Sequence, residues 1–178
     1  MLRSRRNRRD SQPSPEEFSA IPNNGYAVGV GTGDAPELND LVAARLDAHD
    51  HRYTRGRRAL VEALAQSAGP VTISEILSRD SSLSMSSTYR NLAVLEDAGI
   101  VHRIVTSDEH ARYELDDAVT EWHHHHLVCA GCGTVLDFTI PDDLEASLNR
   151  VLRRVARANG FTSEHHRLDL IGRCQACG

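Results

Sequence analysis

The sequence contains no lysine: all twenty basic side chains among its 178 residues are arginine. Every cationic contact must therefore use a guanidinium, which suits bidentate contact with phosphate, although a compositional bias of the genome would leave the same pattern. Long apolar runs are missing too. No stretch approaches the roughly 18 uninterrupted apolar residues of a spanning helix, and the basic start, Met1 to Arg6, has no apolar region behind it. That pattern excludes a membrane partner and a secretory signal, and the expected location is the cytoplasm. Cysteine is limited to four residues. In a reducing compartment these are poor disulfide candidates and better metal ligands. The H-E-x-x-H helix motif is absent, and with it the open metal position and nearby base that a zinc hydrolase requires. The chain is not expected to be an enzyme.

The net charge of −5 argues against nucleic acid only until it is divided along the chain. Residues 1–9 carry five Arg and no acid, residues 10–50 one Arg against eight acids, and residues 51–112 eight Arg against seven acids. The middle segment is thus near neutral to positive, with a basic arm ahead of it.

The length leaves room for two small domains. Residues 1–33 mix Arg, Ser, Pro, Asn and Gly without periodicity and read as a disordered basic arm. Helical spacing follows over Leu38 to Leu46 and over Arg57 to Ala68. Thr72-Ile-Ser-Glu75 has the spacing of a capping box and opens a short helix through Arg79. The run Ser84 to Gly99 then predicts a helix with Thr88, Leu92 and Leu95 on one stripe and Ser86, Tyr89, Arg90 and Ala93 opposite. Two short strands, Ile100 to Val105 and Ala111 to Leu115, read as a hairpin wing. Further strands are expected over His124 to Cys129, Val135 to Thr139 and roughly Glu164 to Ile171, with a helix from Asp142 to Asn159. The predicted fold class is α+β: a winged helix-turn-helix domain over 34–115, a hinge over 116–122, and a small α/β domain over 123–178. The sheet of the second domain would offer an edge to another copy, so a homodimer is expected.

Two sequence features carry chemistry. Cys129-Ala-Gly-Cys132 and Cys174-Gln-Ala-Cys177 are paired knuckles whose four thiolates can close a tetrahedral structural Zn2+ site. His123-His-His-His126 stands immediately before the first knuckle. Strand alternation sends His124 and His126 to one face and His123 and His125 to the other, so one strand can feed two metal sites. Imidazole with carboxylate suits Zn2+, Fe2+, Mn2+ or Ni2+.

Together these motifs resemble the ferric uptake regulator family. The resemblance rests on Ser87-Thr-Tyr-Arg-Asn-Leu, Glu96-Asp-Ala-Gly-Ile-Val, Tyr113-Glu-Leu, the histidine run leading into C-x-x-C-G, and His165-His-Arg-Leu-Asp-Leu-Ile-Gly-x-Cys-x-x-Cys. It implies a metal-responsive repressor of metal-homeostasis genes that binds inverted-repeat operators as a dimer. It also implies an interdomain sensing site at His124 and His126, with Glu114 as ligand in iron-type members, His102 in zinc-type members, and Asp137 and Asp116 as further carboxylates. A second site is implied at His123, His125, Glu145 and His166. DNA contacts are expected from Ser86, Ser87, Tyr89 and Arg90, with Arg52, Arg55 and Arg57 on phosphate or in the minor groove. The sequence departs from the family pattern at Pro70, where iron and peroxide-sensing members place a histidine, and at Asp116, where zinc-type members place a cysteine. His102 favours zinc over iron as the sensed metal. A peroxide-sensing iron-bound repressor and a metal-storage protein are the alternatives.

Overall fold

The computed structural model describes residues 35–106, 110–120 and 123–178. The basic arm, the wing tip and part of the expected hinge lie outside the described residues. Elements are numbered in chain order: α1 (Ala35–Ala48), α2 (Arg55–Ala65), β1 (Val71–Thr72), α3 (Ile73–Arg79), α4 (Met85–Asp97), β2 (Val101–Val105), β3 (Ala111–Leu115), α5 (Asp117–Thr120), β4 (His125–Cys129), β5 (Val135–Phe138), α6 (Asp142–Ala158) and β6 (Asp169–Gly172). The chain is α+β, with a winged helix-turn-helix followed by a small α/β unit.

Local signals place the helices of the first unit. The Thr72 hydroxyl accepts from the Glu75 amide while the Glu75 carboxylate accepts from the Thr72 amide, closing the expected capping box on α3. Ser84 caps α4 by accepting from the Ser87 amide. The same helix ends at Gly99, whose φ of 63° lets the Ile100 and Gly99 amides reach back to the Leu95 and Glu96 carbonyls. Thr88, Leu92 and Leu95 are buried, the two leucines in a core with Val42, Leu46, Leu60, Val61 and Ile76. The helices α1 and α2 bound the core; α2 starts earlier than expected because Thr54 caps it by accepting from the Arg57 amide, and it ends earlier too, at Ala65.

The first sheet has the order β1-β3-β2 and is antiparallel throughout, with His102 opposite Glu114. Strand β3 is buried on both sides: Tyr113 and Leu115 enter the core, and Glu114 turns to the other face. The second sheet has the order β5-β4-β6, antiparallel between β4 and β5 and parallel between β4 and β6. The last strand is shorter than its apolar pattern suggested.

An apolar contact joins the units, and the segment between them docks on the first. Ile104 of β2 packs with Val128 of β4 and Val135 of β5 in a small shared core. The segment expected as a hinge contains the helix α5, whose Val119 is buried in the first unit's core. Arg45 of α1 locks it there by donating to the carbonyls of Gly99 and Ala118. No helix among the described residues is long and apolar enough to cross a membrane.

Candidate metal centres

The cysteine cluster comes from two turns beside the second sheet. Cys129 ends β4, Cys132 follows in the next turn, and Cys174 and Cys177 follow β6, so that the four sulfur atoms lie within 4.8 Å of one another. All four thiols are free of disulfides. Burial opposes the Cys129 thiolate, but the amides of Cys174, Cys132 and Gly131 aim at its sulfur and bring its pKa down to about 6. Gly131 is required by space, since a Cβ there would stand 2.8 Å from the Cys177 Cβ. A cluster of four thiols with one sulfur already inclined to ionise fits a closed tetrahedral zinc site.

The histidine run divides into the two expected pairs, although β4 starts one residue later than expected, at His125. Glu114, His124, His126 and Asp137 form one buried group with donor atoms within 4.8 Å, at the junction of the two sheets. His126 Nε2 lies 3.0 Å from Glu114 Oε1 and 3.9 Å from Asp137 Oδ1, yet both His126 Nε2 and Asp137 Oδ1 are buried without a hydrogen-bond partner. Converging donors left unsatisfied in this way fit a cation at their centre. Burial opposes charge on His124, but the Asp117 and Glu114 carboxylates outweigh it and hold the ring at about 10. Burial likewise opposes charge on His126, which Glu114 and Asp169 nevertheless keep above its ordinary value. Burial, reinforced by Glu114, pushes Asp137 up to about 6.

On the opposite face, His123, His125, Glu145 and His166 form a second group of the same span. Glu145 on α6 stands at its centre, 3.1 Å from His125 Nε2, 3.3 Å from His166 Nε2 and 3.5 Å from His123 Nε2. The Nε2 atoms of His123 and His166 are again buried and unpartnered, which fits a second cation. Burial is the main cause that lowers His125 and His166 below their ordinary values, which favours the neutral ring that a metal needs.

His102 and Asp116 do not join the first group. They line the same cavity as Glu114, His124 and His126, where the Arg167 guanidinium lies against the His102 ring and donates to Asp116 Oδ2 at 2.8 Å. Burial first, and then this guanidinium, lower the pKa of His102. Sequence reasoning missed Arg167 and two further partners. Asp169 lies opposite His126 in the parallel register and accepts from its Nδ1 at 3.1 Å. Asp117 accepts from His123 and His124. Nothing in the local sequence marks either carboxylate, because the strand pairing and the fold of α5 bring them in.

Of the residues expected on DNA, Ser86, Tyr89 and Arg90 are exposed on α4, and Ser87 is half-buried in its first turn. Arg52 and Arg55 are exposed, whereas Arg57 is half-buried and donates to the Arg52 carbonyl.

A winged helix-turn-helix joined at a donor cluster to a cysteine-stapled α/β unit is the make-up of a metal-responsive DNA-binding regulator. Residues 48–171 match the ferric uptake regulator family. The ferric uptake regulation protein of Rhizobium leguminosarum bv. viciae is 35% identical over 145 residues, covering 79% of this chain and 94% of that protein. The peroxide operon regulator of Bacillus subtilis (strain 168) is 32% identical over 130 residues, covering 71% of this chain and 83% of that one. The crystal structure of the Vibrio cholerae ferric uptake regulator, described as revealing a structural rearrangement of its DNA-binding domains, matches with a TM-score of 0.56 and 26% identity over 74% of this chain and 98% of that chain. The chain belongs to the ferric uptake regulator family, whose members are transcription regulators.

Proposed function

We propose that this protein represses metal-uptake or metal-homeostasis genes, binding inverted-repeat operators as a homodimer when metal fills the site of Glu114, His124, His126 and Asp137. The observation that carries this is where those donors come from: Glu114 stands on the wing strand β3, and the other three belong to the second sheet or lead into it. An ion bonded to all four is satisfied at only one relative orientation of the two units, so binding selects that orientation from the ensemble. Residues 34–115 then read DNA, residues 116–122 transmit the orientation, and residues 123–178 dimerise. In the competent form, the two α4 helices of a dimer enter successive major grooves about 34 Å apart. The four cysteines hold a permanent Zn2+.

Two imidazoles and two carboxylates without a thiolate suit Fe2+, Mn2+, Ni2+ and Zn2+ alike. His102 lines the same cavity, its ring centroid 6.4 Å from that of His126, which supports the reading that favours Zn2+ slightly over Fe2+ as the sensed ion. The similarity to a peroxide operon regulator favours a second reading, in which Fe2+ at this site directs oxidation of His124 or His126 by peroxide. Mass spectrometry of iron-loaded protein after peroxide treatment would detect an added oxygen on one of these rings.

Metal analysis of the purified protein, combined with binding to a duplex selected from a random DNA pool under Zn2+, Fe2+, Mn2+ and Ni2+, tests the main reading. One zinc per chain retained through chelation, and at least one ion that raises DNA affinity, are expected. DNA affinity indifferent to all four ions would overturn it.

A further inference from the structure

The two histidine groups share a partner that belongs to neither. Asp117 Oδ2 accepts from His123 Nδ1 at 2.7 Å, and Asp117 Oδ1 lies 3.0 Å from His124 Nδ1. Both rings therefore direct Nδ1 at one carboxylate and keep Nε2 for the donor groups, His124 toward Glu114 at 3.3 Å and His123 toward Glu145 at 3.5 Å. A ligating histidine whose other ring nitrogen donates to a carboxylate has its tautomer and plane fixed by that bond. Here one carboxylate fixes a ring in each of two sites.

The carboxylate is itself well anchored. Asp117 opens α5, Val119 two residues on is buried in the core of the DNA-reading unit, and Arg45 holds the Ala118 carbonyl at 3.1 Å. The Asp116 side chain accepts from the Ala118 amide and secures the start of the helix.

We propose that Asp117 is a positioning residue that couples the two histidine sites, so that metal in the His123, His125, Glu145 and His166 group raises the affinity of the interdomain group. This rests on the reading that both groups bind metal. Metal on His123 Nε2 holds that ring with its Nδ1–H on Oδ2, which fixes the carboxylate plane and presents Oδ1 to His124. The ordering of His124 that interdomain binding needs is then already done, and the second ion binds more tightly. Linkage requires the effect to be reciprocal.

The test uses full-length dimer with zinc retained in the cysteine site and Co2+ as the probe, its affinity measured by competition with a chromophoric chelator. His166→Ala leaves the interdomain site alone, and His126→Ala leaves the second site alone; neither residue is bonded to Asp117. In the Asp117 chain, the two Co2+ ions are expected to bind together at least about fivefold more tightly than the product of the single-site constants, the lower end of ordinary allosteric coupling. In Asp117→Asn, which removes one acceptor at nearly constant shape, that excess is expected to vanish. Asp117→Ser repeats the measurement, with retained zinc and dimer mass as the check on folding in both. A merely structural aspartate would weaken each site without changing the excess. An absence of excess in the Asp117 chain, or an equal excess in the Asn and Ser variants, would overturn the coupling while leaving the metal sites standing. Failure of both single-site variants to bind Co2+ would overturn the coupling together with the reading on which it rests.

Discussion

His124 and His126 belong to one donor group and His123 and His125 to the other, and the two pairs should fail differently. His124→Ala or His126→Ala is expected to abolish metal-stimulated DNA binding while leaving a folded dimer, because the interdomain ion loses an imidazole. His123→Ala or His125→Ala is expected to shift or flatten the metal response instead. Repression titrated against free metal separates these outcomes, and four indistinguishable curves would contradict the two-face assignment. Protonation offers a second check. With its pKa held up at about 10 by Asp117 and Glu114 against the effect of burial, His124 carries a proton in the metal-free protein at neutral pH. That charge stabilises the metal-free fold fully below the ordinary value near 6.5, and the contribution is lost as pH rises through about 10. A metal must displace the proton, so apparent metal affinity should climb with pH across the same range. Loading at about neutral pH in weak buffer should release protons that an indicator dye detects, and loading with no release would contradict the assignment of His124 as ligand.

At the scale of elements, α4 was the most legible. Its glycine stop and its buried stripe follow from residues of the helix and its end, and the structure leaves Tyr89 and Arg90 exposed opposite Leu92 and Leu95. Tyr89→Ala or Arg90→Ala is expected to weaken operator binding by about 1–3 kcal/mol for each base-specific interaction removed, with metal content unchanged, as fluorescence anisotropy would measure. The sorting of the histidines was legible for the same reason, since alternation is a local rule. The helix α5, the Arg167 contact and the acids Asp117 and Asp169 were not, because each depends on which distant segment packs alongside. The helix α6 shows a third case. Its apolar spacing was plain, yet Leu144, Val151 and Val155 lie exposed, as do Leu170 and Ile171 on the edge strand β6. The homodimer expected from the open sheet edge would cover such apolar side chains. Val151→Asp or Leu170→Asp is expected to give monomers by sedimentation. Dimers of unchanged stability in both variants would place the interface elsewhere.

Across the whole molecule, two units meet through a three-residue apolar core, an arginine between His102 and Asp116, and a donor cluster with Glu114 as its contribution from the wing. The apolar contact is small, and on the proposed function the relative orientation of the units is set by the charged groups and by the ion they would hold. If the DNA-competent orientation is about 1% populated without metal and nearly fully populated with it, operator affinity rises about a hundredfold. The most direct measurement is anisotropy titration of one operator duplex by the zinc-stapled dimer, with and without the sensed metal, for the natural chain and for Glu114→Gln. A rise of about a hundredfold in the natural chain, lost in Glu114→Gln while zinc content and dimer mass stay unchanged, is the expected result. Equal affinity with and without metal in the natural chain, or a full response in Glu114→Gln, would contradict a switch worked by metal bound between the two units.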